Sequence, residues 1–378
     1  NKKVASIIKY YQNQGRNSFQ KWLNRMNRYK PIILPILEKE NVPPELFYLA
    51  MIESGLNPNA YSYAHASGVW QFIKSTGKIY GLNKDWFVDE RRDFEKSTIA
   101  ACRYLKDLYK EFDDWYLAFA AYNCGSRRVN KEIRRHNTRD YWKLIRLPAQ
   151  TRNYIPNIMA AIFISNDPEK YGFTINPIPT IEWNIVKINK SVSMDVISEC
   201  SNIDVETIKF YNPELKQGII PRLDSKKSYI NKDKTYSLRM PKNMNPKFYE
   251  LLAKVEVQEI DEIRYEKHRV RNGENLTLIA RKYDSKIKDI VALNSLKNAN
   301  QIKPGQILDI PIGNIITASQ TRVESKKPKL IYYKVKYGDT LSGIAFKYKT
   351  NIRKIKRWNS LTNDQIKRGK KLKIWINT

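Results

Sequence analysis

The sequence predicts a multidomain protein: a mainly α N-terminal domain followed by small α+β modules of βααβ order. Three observations lead there. Apolar residues recur at helical spacing through roughly the first 175 positions. A segment of the C-terminal third occurs twice. Polar and charged stretches separate the parts, and 378 residues are enough for two or more domains. The boundaries fall at 1–175 for the helical domain, 176–250 for a degenerate repeat, 266–313 and 332–378 for the two clear copies, and 314–331 for a linker.

In the helical domain, Pro43-Pro44 marks a helix start, since proline suits the first turn. Leu46, Leu49 and Ala50 then define one face, and Glu53 falls on that same apolar face just before a stop signal at Gly55. A carboxyl there is partly desolvated and meets the negative end of the helix dipole, and both effects raise its pKa. A general acid is kept protonated in this way; a carboxyl that merely frays into solvent is the competing reading. "STIAACRYLKDLYKEF" is amphipathic, whereas "DDWYLAFAAYN" is apolar almost all round, as a central buried helix should be. It ends in Tyr122-Asn123, polar residues well placed to face a cleft.

Hydrophobic residues make up 42%, enough for real cores, and no apolar run reaches the length of a membrane span. The chain opens on Asn1 with no apolar signal core, so a trimmed form is expected, with any export signal or lipid anchor out of view. A formal charge of +30 suits a polyanionic partner: nucleic acid, an anionic membrane surface or an acidic cell-wall polymer. The basic residues are scattered, which equally suits a lysine-rich composition spread over solvated faces. Cys102, Cys124 and Cys200 have neither metal-ligand spacing nor a disulfide framework, and are expected as buried free thiols.

In the repeat, "HRVRNGENLTLIARKYDSKIKDIVALNSL" pairs with "YKVKYGDTLSGIAFKYKTNIRKIKRWNSL" at a constant step of 65 residues, which drops to 64 between Gly305 and Gly369. A worn third copy lies 82 residues before the first: Met194, Ile197, Val205, Ile208 and Asn212 fall on Leu276, Ile279, Ile287, Ile290 and Asn294, with Ser191 where Gly273 would be. The charged stretch 255–267 and the polar stretch 314–330 read as joints.

The Gly-Glu/Asp-x-Leu opening, the Ile-Ala pair and the Asn-Ser-Leu corner make these units resemble LysM modules, which bind N-acetylglucosamine-containing glycans. The resemblance places binding in the loops holding Gly273, Glu274 and Leu276, and Gly338, Asp339 and Leu341, together with 296–302 and 361–366. The worn copy is expected to be a spacer.

In the helical domain, Glu53-Ser54, Ser62, Ser67-Gly68-Val69-Trp70-Gln71 and Ala121-Tyr122-Asn123, with "TRNYIPNIMAA" further on, resemble the family 1 lytic transglycosylases. The fold this implies is that of goose-type lysozyme. The resemblance makes Glu53 the single catalytic acid/base. Ser62 would orient the substrate's N-acetyl group, Gln71 would line the cleft, Tyr122 and Asn123 would hold Glu53 and sugar hydroxyls, and Tyr154 would flank the glutamate. His65 and Cys124 depart from the small residue and the alanine usual there. The implied reaction cleaves the β-1,4 bond between N-acetylmuramic acid and N-acetylglucosamine, forming a 1,6-anhydromuramic end without metal or cofactor. The implied partner is the peptidoglycan glycan strand, with no specific nucleic acid. The implied setting is the periplasm or outer membrane, reached by export, and the chain is expected to be a monomer. Two alternatives stay open: a hydrolytic muramidase, for which Asp85, Asp89 and Asp93 are the nearby acids, and a non-catalytic peptidoglycan-binding protein. With His65, His136 and His268 the only histidines and no nucleophile elbow, a Ser-His-Asp hydrolase has little support.

Overall fold

A computed structural model gives the structure of residues 1–378 apart from 222, 224–228, 256–263, 295, 297, 313–328, 337–338, 349, 351, 362 and 377–378. The chain divides into two compact units, Asn1–Glu182 and Trp183–Thr378. Most of the linker at 314–331 and of the charged joint lies outside the described residues.

The first unit contains α1 (Lys2–Gln12), α2 (Arg16–Lys39), α3 (Leu46–Ser54), α4 (Lys74–Ile79), α5 (Phe94–Phe112), α6 (Trp115–Cys124), α7 (Ser126–His136), α8 (Ala149–Arg152) and α9 (Tyr154–Asn166). The apolar α6 packs against α5, α7 and α9, and its Leu117, Ala118, Phe119, Ala120 and Ala121 are all buried. Asp114 and Asp93 start α6 and α5 by accepting backbone N–H bonds, satisfying donors that a helix leaves free at its first turn. Beyond α9 the chain runs back along α2: Asn24 accepts from the N–H of Ile178, and Arg28 Nε donates to the carbonyl of Pro179 at 3.1 Å. That strap carries the unit a few residues past the boundary drawn at 175.

Two features fix the loop between α3 and α4. Gly55 ends α3 in the left-handed region at φ 60°, and a Cβ there would come within 2.2 Å of Trp22 Nε1, so the stop has to be glycine. Further along, Arg91 is 1% exposed and meets both oxygens of Asp89 at 2.8 and 2.7 Å. Its remaining Nη1 donates to the carbonyls of His65 and Phe72, at 2.8 and 2.9 Å. The guanidinium thereby ties both ends of the 65–72 turn to one buried point. His65 and Gln71 sit at φ 59° and 49°, backbone that costs non-glycine residues about 1 kcal/mol or more and persists only when its surroundings hold it.

The second unit repeats one motif three times. β5 (Arg264–Arg269), α13 (Leu276–Lys282), α14 (Ile287–Leu293) and β6 (Ile307–Ile312) form the first clear copy. β7 (Lys329–Lys334), α15 (Leu341–Lys347), α16 (Ile352–Trp358) and β8 (Lys371–Ile376) form the second. In each, the two strands pair antiparallel. β5 and β7 begin a few residues before the boundaries drawn at 266 and 332. The cores match position for position: Val270, Leu276, Ile279, Ala280 and Ile290 in one, Val335, Leu341, Ile344, Ala345 and Ile355 in the other.

The degenerate copy has β1 (Asn184–Ile188), β2 (Val192–Ser193), α10 (Met194–Ser201), α11 (Val205–Tyr211), β3 (Ile219–Ile220), β4 (Tyr236–Met240) and α12 (Phe248–Ala253), so it continues past residue 250. One asparagine does the same work in all three copies. Asn212, Asn294 and Asn359 each donate from Nδ2 to a carbonyl four residues back and to a carbonyl on the closing strand, and each accepts from an N–H of that strand.

Arg91→Met removes the guanidinium that meets both Asp89 oxygens. Breaking a buried pair from one side costs about 3–5 kcal/mol, so thermal denaturation of the full chain should show the first unit melting many degrees lower. An unchanged melting temperature would mean that the pair does not hold this loop.

Candidate active site

Glu53 lies on the last turn of α3, next to the glycine stop. It is half-buried, and desolvation pushes its carboxyl up from 4.5 to about 7, against the opposing pull of a hydrogen bond from Tyr154. The Tyr154 hydroxyl donates to Glu53 Oε1 in a very short bond. Tyr154 is the first residue of α9, so the packing of α9 against α3 sets that contact. Burial and then the neighbouring Glu53 carboxylate hold the Tyr154 phenol well above its ordinary range, which keeps it a donor.

The 60–72 loop is joined to the end of α3 and to α6. Ser54 Oγ donates to the carbonyl of Val69 at 2.8 Å, and the Tyr122 hydroxyl donates to the carbonyl of Trp70 at 2.7 Å. Trp70 is itself fully buried and anchored through Nε1 to Thr98 Oγ1 at 2.8 Å. A Cβ on Gly68 would come within 1.7 Å of the Arg91 carbonyl oxygen, so the loop approaches that backbone as only glycine allows. Ser62 Oγ accepts from the N–H of Ala66 at 3.1 Å, and Gln71 Nε2 turns inward to the carbonyl of Gly68 at 2.8 Å.

Tyr122 and Asn123, expected to hold Glu53, make their hydrogen bonds elsewhere. Tyr122 bonds the loop, and Asn123 Oδ1 accepts from Thr151 Oγ1 at 2.8 Å. The hydrogen bond to Glu53 comes from Tyr154. Thr151 was not singled out from the sequence, although it opens the "TRNYIP" segment, and Arg91 was missed because a buried arginine looks like any other in a basic chain.

The family profile described as Transglycosylase SLT domain matches residues 30–145. LysM domain profiles match 268–311 and 333–375, and the profile for the lytic transglycosylase MltD LysM-like domain matches 183–257. The chain is 32% identical over 349 residues to membrane-bound lytic murein transglycosylase D of Escherichia coli strain K12, across 90% of this chain and 74% of that protein. This chain belongs to that family. It is a lytic transglycosylase acting on peptidoglycan, with LysM peptidoglycan-binding domains. N-acetylmuramoyl-L-alanine amidase sle1 of Staphylococcus epidermidis is 41% identical over 105 residues, 28% of this chain and 32% of that one. The 70 kDa soluble lytic transglycosylase SLT70 of Escherichia coli aligns with 45% of this chain and 31% of its own, at 21% identity and a TM-score of 0.33.

Within the transglycosylase unit, the three aspartates that follow the motif region are all engaged. Asp89 meets Arg91, Asp93 caps α5, and Asp85 Oδ1 accepts from the N–H groups of Phe87 and Val88 at 2.9 Å each. Of the two departures, His65 is exposed with Nδ1 2.7 Å from the Tyr61 hydroxyl. Cys124 is half-buried, a correction to the expected buried thiol, while Cys102 and Cys200 are buried, and all three are free.

In the LysM modules each acid expected to bind glycan places one carboxylate oxygen on the turn itself. Glu274 Oε2 accepts from the N–H of Arg271 at 2.7 Å and lies 2.8 Å from His268 Nε2. Asp339 Oδ2 accepts from the N–H of Lys336 at 2.7 Å and from the Tyr333 hydroxyl at 2.8 Å. Leu276 and Leu341 are core residues. Gly273 supplies φ 82° at the turn, and Gly338 lies outside the described residues.

The raised pKa of Glu53 has a signed consequence. Between about 4.5 and 7 the unfolded chain releases this proton while the folded one keeps it, so this group's contribution to stability falls as pH rises through that window. Glu53→Gln should therefore raise the melting temperature relative to the parent above pH 7, and the gain should shrink towards pH 4. Melting curves across that range check it; a gain equal at both ends would mean the carboxyl is not desolvated.

Proposed function

We propose that Glu53 alone carries the chemistry, first as acid and then as base, and that the reaction ends in a 1,6-anhydromuramic product. One observation supports this above the others: a single carboxyl stands at the site with its pKa pushed up to about 7, while Asp85, Asp89 and Asp93 are engaged in turns, caps and an ion pair. Paired-carboxylate hydrolysis needs a second free acid at a set separation.

The protonated Glu53 gives its proton to the oxygen linking N-acetylmuramic acid to N-acetylglucosamine as the C1–O bond breaks. The acetamido carbonyl of the muramic residue stabilises C1, one of the exceptions to the two-carboxylate scheme. The Glu53 carboxylate then takes the proton of the C6 hydroxyl, whose oxygen closes on C1. The carboxyl ends as it began, and no water is consumed. Tyr154 steadies the charged intermediate form through its hydrogen bond. Ser62, whose oxygen accepts from the Ala66 N–H, keeps its hydroxyl proton for the acetamido group. Asn123 is oriented by Thr151 so that its amide N–H faces a sugar hydroxyl. Gln71 and Tyr122 shape the loop wall.

The two clear modules hold the glycan while the first unit cuts it, and the degenerate copy acts as a spacer. The setting is the cell envelope, at the periplasmic or outer-membrane face. Among the described residues no helix is long and apolar enough to cross a membrane.

Glu53→Gln keeps the size and loses the proton, a contribution of about 10²–10⁴-fold or more, so muropeptide release from purified sacculi should nearly vanish with the fold intact. Mass spectrometry of wild-type products should show ends one water lighter than hydrolysis gives; hydrated ends would mean a muramidase. The kcat/KM of the wild type should fall as pH rises through about 7, because the first step needs the protonated form.

A further inference from the structure

A cavity of about 1150 Å³ opens within the second unit, between the degenerate copy and the second clear module. The degenerate copy lines it from the end of α10, with Glu199 and Asn202, and from the 243–247 segment. The second module lines it from the turn between α15 and α16, from α16 itself and from β8. Among the described residues, none from the loops expected to hold glycan in that module, 338–341 and 361–366, reaches it.

The first clear module serves as an internal control. It has the same strands, helices, matching core and asparagine clamp, so whatever the fold demands is present in both. At the 65-residue step Lys354 and Trp358 correspond to Asp289 and Leu293, and at the 64-residue step Trp375 corresponds to Pro311. The lysine and the two tryptophans therefore belong to the surface of the second module rather than to the βααβ scaffold. Trp375 is 39% exposed, a large apolar group left in the cavity wall. Lys347, by contrast, has a counterpart in Lys282, and each ammonium sits over the tyrosine that follows it, at 5.5 and 5.2 Å from the ring centroid.

Charge narrows the ligand. Among the described residues, Lys247, Lys347 and Lys354 line the cavity against one carboxylate, that of Glu199. Partial desolvation raises the Glu199 carboxyl and the Lys354 charge opposes the rise, so the two side chains stand near each other. A neutral glycan has no use for a surplus of cations. We infer that the cavity binds the acidic peptide that hangs from the muramic residues of peptidoglycan. Such a peptide brings carboxylates for the lysines, the ammonium of a diamino acid for Glu199, and small apolar side chains for the indoles of Trp358 and Trp375. The degenerate copy, a spacer for the glycan, then contributes one wall of a peptide site. The site rests on peptidoglycan being the substrate and is independent of how Glu53 works.

The test titrates the full chain with an N-acetylated alanyl-γ-glutamyl-diaminopimelate tripeptide in a calorimeter. The wild type should bind it. Lys354→Asp, which introduces the residue of the first module, should raise Kd about 10-fold or more, as for a lost hydrogen bond to a charged group. Trp375→Ala should raise it about 2–10-fold, as for a lost aromatic contact. Both residues are exposed, so melting temperatures should hold. They lie on α16 and β8, so a fold lost in one variant leaves the other to decide. Affinity for chitin oligomers should be the same in all three proteins. No binding by the wild type, or an equal Kd in the folded variants, overturns the proposal. So does displacement of the peptide by a chitin oligomer, which would make the cavity part of a glycan site. None of these results bears on Glu53, whose assignment fails on the identity of the released ends.

Discussion

The site depends on one buried guanidinium. Arg91 spends two N–H groups on Asp89 and a third nitrogen on the carbonyls of His65 and Phe72, so a single side chain closes the loop that forms one wall of the cleft. Burying a charged group is costly unless it is paired and fully bonded, and here the planar fork finds an acceptor in each direction. The carbonyls of Val69 and Trp70, held between those two anchor points, then receive Ser54 from the Glu53 helix and Tyr122 from α6. Glu53, the loop and the central helix are fixed to one another through the backbone of four residues. These bonds, all internal to the protein, decide where the Glu53 side chain stands.

Glu53 is poised by burial rather than by a second charge. Desolvation raises the Glu53 pKa and the Tyr154 bond lowers it, and burial is the larger of the two. The balance suits the proposed role, in which the group gives a proton in one half-reaction and takes one in the next. A much stronger donor set would leave a carboxylate that cannot protonate the leaving oxygen. A fully apolar pocket would leave an acid too reluctant to ionise afterwards. The acid and its phenol come from α3 and α9, far apart in the chain but packed together.

The periodic parts were the legible ones. The amphipathic α5, the all-apolar α6 and the repeat cores followed from spacing alone, because burial imposes that spacing. The desolvated place of Glu53 was legible for the same reason: a carboxyl on an apolar stripe is a local contradiction, of the kind the proposed role would explain. What the sequence hid are contacts between distant residues of ordinary type. Nothing local marks Thr151 as the partner of Asn123, or Arg91 as the anchor of a loop nearly twenty residues before it. Glu274 and Asp339 have internal partners that nothing local announces. One oxygen of each acid takes both the backbone N–H three residues earlier and a side chain near the end of the preceding strand.

The three repeats separate fold from ligand loop without any outside comparison. All three keep the asparagine that clamps the second helix to the closing strand, so that residue belongs to the fold. The copies part at the opening turn. Where the first clear copy has Gly273 in the left-handed region, the degenerate copy has Ser191, whose Oγ donates to the carbonyl of Ile220 at 2.8 Å. The next two residues, Val192 and Ser193, pair antiparallel with Ile219 and Ile220, and all three residues from 191 to 193 are buried. That pairing commits one edge of residues 192 and 193 to the closing segment. Ser191 lacks the freedom of glycine at positive φ, and the chain there runs directly into the short pairing of 192 and 193. The same helices and the same clamp thus carry two kinds of opening, one with a glycine at positive φ and one paired to a neighbouring strand.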